Sequence, residues 1–270
     1  MVVSEFASKG NLQTYLRLNY HLLNWEKRLC LLLKIAMALQ DIHSGEFIHR
    51  NLHSGNIFQV GDCVKISDLG LNRRVKNNYG VYGVLPYVAP EILHGESHTK
   101  ASDVYSLAII MCEVATGIPP FSNRPHDYDL AIGICDGIRP PFIEGTPKSF
   151  TTLVERCWDS DPINRPNVQQ ITEMLFRWHF SLEQERSTDV CDTFRNFDTS
   201  MNPRQQLRDR INWRFHPQAC YTSRLLNFVN LPEPTNFFTR YRYDSAFGSA
   251  GSVTRDSFIQ TNSPIDEKFE

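Results

Sequence analysis

His49-Arg50-Asn51-Leu52-His53-Ser54-Gly55-Asn56 is a polar loop set between two stretches of opposite periodicity, and its setting decides the fold. Before it, Asn24 is a candidate helix N-cap, and from Trp25 the apolar residues Leu29, Leu32, Ala36 and Leu39 recur at helical spacing until Gly45 ends the pattern. After it, residues 56–60 and 63–66 are short β-like runs on either side of Gly61-Asp62, a good hairpin turn pair. A loop rich in Gly, Asn and Tyr then runs to Pro90. Residues 104–114, VYSLAIIMCEV, are apolar on nearly every face, which places that helix in the centre of a domain, and Gly117 with Pro119-Pro120 terminates it. Shorter helical patterns follow near 127–137, 150–158 and 167–182.

Working further outward, Met1 to Val3 reads as a strand end that Lys9-Gly10-Asn11 breaks. Beyond Arg186 the chain is rich in Ser, Thr, Asn, Pro and Arg, with scattered aromatics, balanced charge and little periodicity. That composition predicts a tail that is partly disordered or docks as extended chain. The expected organisation is therefore a mainly helical domain over 1–182 with one small β-hairpin, followed by a low-periodicity tail over 183–270.

Of the 270 residues, 41% are hydrophobic and 21% charged, enough apolar material for a sizeable core. With 28 basic and 30 acidic side chains the formal charge is −2, which predicts neither a nucleic-acid partner nor a membrane-surface partner. The seven cysteines are scattered, odd in number and without a C-x-x-C pair, so reduced thiols are expected rather than a zinc site or a disulfide framework. The longest apolar run, interrupted by Lys34, is too short to span a bilayer, and the N-terminus has no secretory pattern. A soluble cytoplasmic protein is the expectation.

The loop at 49–56 resembles the H-R-D-L-x-x-x-N catalytic loop of protein kinases. Further motifs arrive in that family's order. Ser67-Asp68-Leu69-Gly70 closes the hairpin where kinases carry D-F-G, and Ala89-Pro90-Glu91 matches A-P-E. Asp103-Val104-Tyr105-Ser106 opens the apolar helix like D-V-W-S, and Cys157-Trp158 with Arg165-Pro166 matches a late C-W…R-P element. At the start, Val2 to Leu12 is similar to the last strand of the N-terminal lobe, the hinge and the helix after it. The wording HRxLHSGN and the Trp158 element look most like tyrosine-kinase-like families of Ser/Thr/Tyr kinases. The tail segment 216–227, HPQACYTSRLLN, looks like a tail found after kinase domains in large fungal kinase families.

The resemblance implies a kinase-like helical C-lobe and a set of roles. Asn51 stands at the proton-acceptor position, flanked by His49 and Arg50; Asn56 and Asp68 would hold Mg²⁺. Ser4 would be the gatekeeper, the backbone of Glu5 and Ala7 would face the adenine edge, and Phe58 would floor the adenine pocket. Glu91 and Arg165 would form a buried ion pair, and Asp103 would hydrogen-bond the catalytic-loop backbone.

Three departures shape the functional expectation. A carboxamide at position 51 accepts a hydrogen bond but takes no proton at neutral pH, where the family has Asp. No Gly-rich loop, strand Lys or helix Glu of an N-lobe is found, so the N-lobe is expected to be essentially absent, through a fragment or a misassigned start. Position 53 carries His where a basic side chain usually lies, Phe58 and Leu69 replace an aliphatic residue and the D-F-G Phe, and Val84 follows Gly83 where Ser/Thr kinases usually place Thr. The resulting expectation is a partial, pseudokinase-like domain acting as a scaffold or regulator of a protein partner, possibly another kinase, with weak or no binding of ATP and Mg²⁺. The alternatives are a fragment of an active ATP-dependent Ser/Thr or Tyr kinase, or a gene remnant.

Overall fold

Where the sequence alternates caps and apolar stripes, the chain folds into helices around one central helix. The computed structural model describes residues 10–61, 63–69, 81–200 and 215–236. Helix α1 (Leu12–Asn19) starts at Asn11, whose side chain accepts the Thr14 N–H. The long helix α2 (Trp25–Ser44) starts at Asn24, which takes the Lys27 N–H in the same way, and stops at Gly45. Strands β1 (Ile57–Val60) and β2 (Cys63–Ile66) pair antiparallel, with Ile57 opposite Ile66 and Phe58 opposite Lys65.

Next come β3 (Val81–Gly83), α3 (Pro90–Leu93) and α4 (Lys100–Thr116). Helix α4 opens with a reciprocal cap between Thr99 and Ser102 and is buried on every face from Ser102 to Thr116. It ends at Gly117 in the left-handed region, φ 67°. A Cβ there would lie 2.5 Å from the Tyr20 ring, so both backbone angle and space require glycine. Around α4 pack α5 (Tyr128–Cys135), α6 (Lys148–Cys157) and α7 (Val168–Glu183), with α7 lying along α2. Leu29, Leu32, Ile35 and Leu39 of α2 meet Ile171 and Leu175 of α7 and the apolar run of α4 in one continuous core. The fold is thus mainly helical with small antiparallel pairs, as the periodicity predicts. All seven cysteines are free thiols.

Two elements fall within the stretch of low periodicity after Arg186. Helix α8 (Asp189–Ser200) forms within the stretch that shows little periodicity, because three inward residues suffice to dock it. Cys191, Phe194 and Phe197 are buried, and Phe194 lies 4.9 Å from the Trp25 ring and 5.8 Å from the Trp178 ring. Asp198 on α8 accepts the Trp25 N–H at 2.9 Å, so a residue 173 positions away satisfies an orphan donor in the first turn of α2. Beneath it the buried Arg28 guanidinium lies over the Tyr20, Trp25 and Phe197 rings and donates to Ala115 O. The second element is β4 (Arg224–Leu226), which pairs antiparallel with β3.

If α8 belongs to the core rather than to a loose tail, truncating its central ring is costly. Phe194→Ala is expected to lower unfolding free energy by about 3–5 kcal/mol in urea denaturation, comparable to a deep core deletion. A change under about 1 kcal/mol places α8 outside the cooperative unit.

Candidate functional site

The loop at 49–56 is held by one carboxylate. Asp103, in the first turn of α4, accepts the His49 N–H at 2.7 Å and the Arg50 N–H at 2.9 Å, and lies 2.9 Å from His43 Nε2. Three donors converge on a group that is 1% exposed and sits at a helix N-terminus, where negative charge is favoured. Between those donors the backbone of Arg50 takes φ 71°, a strained angle for a side-chain-bearing residue that the paired hydrogen bonds hold in place.

His49 carries the constraint onward. Its Nε2 lies 2.8 Å from Ser67 O, an acceptor only, so Nε2 bears the proton and Nδ1 accepts the Asn51 N–H at 3.3 Å. Burial pushes the His49 pKa down, which keeps this neutral tautomer. On the far side of the loop, Asn56 Nδ2 donates to Asn51 O at 3.0 Å, while Asn56 O accepts the Ser67 N–H at 2.9 Å. Asp68 follows directly, exposed and at φ 64°. His49, Arg50, Asn51, Asn56 and Asp103 are therefore knit into one unit, with Asp68 at its edge.

Beneath the loop lies a cluster that the sequence reading does not single out. Glu113 of α4 accepts from Tyr87 Oη at 2.7 Å and from Ser54 Oγ at 3.2 Å, and burial raises its pKa to about 7. Its position in an apolar helix, flanked by Cys112 and Val114, was the available signal. Above it His53 accepts the Gly55 N–H on Nδ1 at 3.1 Å, leaving Nε2 as the donor. Burial lowers the His53 pKa to about 4.

The Asn51 side chain does not point into an open cleft. Its Nδ2 donates to Ser223 Oγ at 3.1 Å, and His53 Nε2 lies 3.2 Å from the same hydroxyl. Ser223 is a second residue that the sequence reading did not mark.

Elsewhere, Glu91 and Arg165 form a two-pronged ion pair, 2.7 Å on each arm, with side chains 4% and 0% exposed. Arg165 also donates to the carbonyls of Asp159 and Ala101 and lies over the Tyr105 ring. This pair ties the A-P-E turn to the segment before α7. Phe58 sits half-buried on β1, with Asn11 bridging to it from the start of α1. Ser4, Glu5 and Ala7 lie outside the described residues. Among the described residues no group of three or more His, Cys, Asp or Glu side chains is placed to hold a metal ion, and no helix is long and apolar enough to cross a membrane.

A helical lobe whose loop is anchored through Asp103, with the Glu91–Arg165 pair behind it, is the architecture of a protein kinase C-lobe. The chain belongs to the protein tyrosine and serine/threonine kinase family, whose model matches residues 1–175. It is 34% identical over 180 residues to a probable serine/threonine-protein kinase of Dictyostelium discoideum, covering 65% of this chain and 11% of that one. A serine/threonine-protein kinase of Arabidopsis thaliana is 31% identical over 180 residues, covering 64% of this chain and 31% of that protein. A serine/threonine/tyrosine-protein kinase of the same plant is 30% identical over 186 residues, covering 66% and 47%. The chain thus spans less than half the length of each of these relatives. Kinases of this family generally use ATP and Mg²⁺ and act on protein substrates.

Two measurements check this geometry. Glu91→Ala or Arg165→Ala strands a buried charge and is expected to cost about 3–5 kcal/mol each, with the double variant well short of their sum. The second concerns pH. His53 stays neutral in the fold while the unfolded chain binds its proton below pH 6.5, so its contribution to stability rises from pH 4 to 6.5. Glu113 stays protonated in the fold while the unfolded carboxyl ionises from pH 4.5, so its contribution falls from pH 4.5 to 7. His53→Gln removes the rising contribution, so a fall in its stability relative to the native protein is expected on going from pH 4.5 to 6.5. Glu113→Gln is expected to reverse it, each by about 3 kcal/mol across the window.

Proposed function

We propose that this kinase-family domain works chiefly by binding protein, with phosphoryl transfer strongly reduced at its own catalytic loop. The observation that carries the reading is Asn51. Its position corresponds to the family's proton acceptor, and a carboxamide there positions a hydroxyl without being able to take its proton. The shaping of the loop is otherwise retained: Asp103 holds its backbone, His49 fixes its tautomer against Ser67, and Asn56 closes it from the other side.

For the family's ATP and Mg²⁺, Asn56 and Asp68 offer the kind of oxygen that Mg²⁺ takes. The Asn56 amide nitrogen is engaged by Asn51 O, which leaves its carboxamide oxygen for a cation, and the Asp68 carboxylate is exposed. When bound, the metal would neutralise phosphate charge. The residues of this chain would orient the acceptor hydroxyl through Asn51 but leave its proton in place. Function would then reside in docking a protein partner, a second kinase included, with residues 183–270 as a separate contact.

The retained loop also supports a second reading, an ATP-dependent Ser/Thr or Tyr protein kinase with residual activity from positioning alone. Substitution at position 51 separates the two. With a competent kinase N-lobe fused ahead of Met1, the native sequence is expected to give trace transfer from Mg·ATP to a mixed Ser/Thr/Tyr peptide pool. Asn51→Asp in the same fusion is expected to exceed it by on the order of 10²–10⁴. A robust rate from the unmodified 270-residue chain, abolished by Asp68→Ala, overturns the binding reading.

A further inference from the structure

The segment 215–236 carries β4 past the catalytic loop and is fastened at several points. His216 N–H donates to Ser122 O, and the His126 N–H donates to Gln218 O. The buried His126 ring meets the Cys220 backbone through Nδ1, 2.9 Å from its O and 3.1 Å from its N, and lies 3.2 Å from Phe121 O through Nε2. Tyr221 packs edge-on against that ring and donates its hydroxyl to Pro120 O. The Arg224 guanidinium donates to His126 O. Arg224 to Leu226 then pair with Gly83 to Val81, so the strand lies on the edge of β3. Its side chains alternate as a strand's do, with Leu225 exposed at 56% and Leu226 buried at 3%. One residue before the ladder, the Ser223 hydroxyl rests on Asn51 and His53.

Adding a peptide strand to an exposed edge, with pockets for alternate side chains, is a general mode of peptide recognition. Here the added strand delivers one hydroxyl to the residue at the proton-acceptor position. We propose that residues 218–226 are a built-in occupant of the acceptor-hydroxyl position at Asn51 and His53, held there by the β3 edge. The recognised pattern is an aromatic residue two before the hydroxyl, a basic residue after it and an aliphatic residue three after it, as in Tyr221, Ser223, Arg224 and Leu226. Because Asn51 holds the hydroxyl without taking its proton, the segment is bound rather than consumed. A partner segment of the same pattern reaches the site only by displacing it. This inference deepens the protein-binding reading and rests on it. Its test needs no phosphoryl transfer, so the outcome at position 51 and the outcome here are independent.

The test uses the full chain and a fluorescent synthetic peptide of residues 215–236, with anisotropy as the readout. In the native chain the tethered copy competes at a high effective concentration, so the peptide binds weakly. Leu226→Asp releases the tether by burying a charge, and Tyr221→Ala with Arg224→Ala does so more mildly at the strand's flank. Either variant, with its helical circular dichroism intact, is expected to bind the peptide at least about tenfold more tightly than the native chain. The peptide carrying Ser223→Ala is expected to bind about fivefold more weakly, from the loss of neutral hydrogen bonds. Equal affinity for native and released chains, or no binding to either, overturns the proposal. So does loss of helical signal in both variants, which would make the strand an integral part of the lobe.

Discussion

The carboxylate of Asp103 is the constraint on which the site depends. A helix as apolar as α4 sits in the centre of the lobe, so a carboxylate in its first turn is buried and must find donors within the protein. Asp103 meets that need by collecting the His49 and Arg50 amides and the His43 ring. The two amide contacts hold Arg50, next to Asn51, in an unfavourable backbone angle. Rigidity of the central helix is thereby passed to a loop, which is how an irregular segment comes to present side chains at fixed positions.

The other buried charges serve connection rather than chemistry. Arg165 links Glu91 to the carbonyls of Asp159 and Ala101, so three chain segments meet at one guanidinium. Arg28 collects three aromatic rings and Ala115 O where α1, α2 and α8 converge. Each is expensive to desolvate and is tolerated because its donors are shared among several partners. Glu113 resolves the same problem differently: with hydroxyl partners alone and no cation, its pKa is raised towards neutrality.

The tail gives the loop an occupant. A hydroxyl is held between an amide and an imidazole, and neither neighbour is an effective base: the carboxamide is inert, and the imidazole uses its protonated nitrogen. Under the proposed reading, the strand ladder supplies attachment and the identity of residue 51 governs whether attachment leads to chemistry.

The sequence by itself determined the helices, since α2, α4, α5, α6 and α7 follow from local caps and apolar spacing. It also determined the hairpin, from a turn pair between two β-like runs. The motif positions from His49 to Arg165 were legible because each consists of a few residues at fixed separations. Three features required the folded chain. Helix α8 is marked by only three inward residues among polar ones, and its value lies in Trp25 and Arg28, far away in sequence. The Glu113 cluster joins Ser54 and Tyr87 across 59 and 26 positions, and no local pattern encodes such a meeting. The β3–β4 pair unites two three-residue strands more than 140 positions apart, each too short to show alternation. Local periodicity reports what a segment can do alone, whereas the partner of Asn51 was chosen by which strand the edge of β3 could accept.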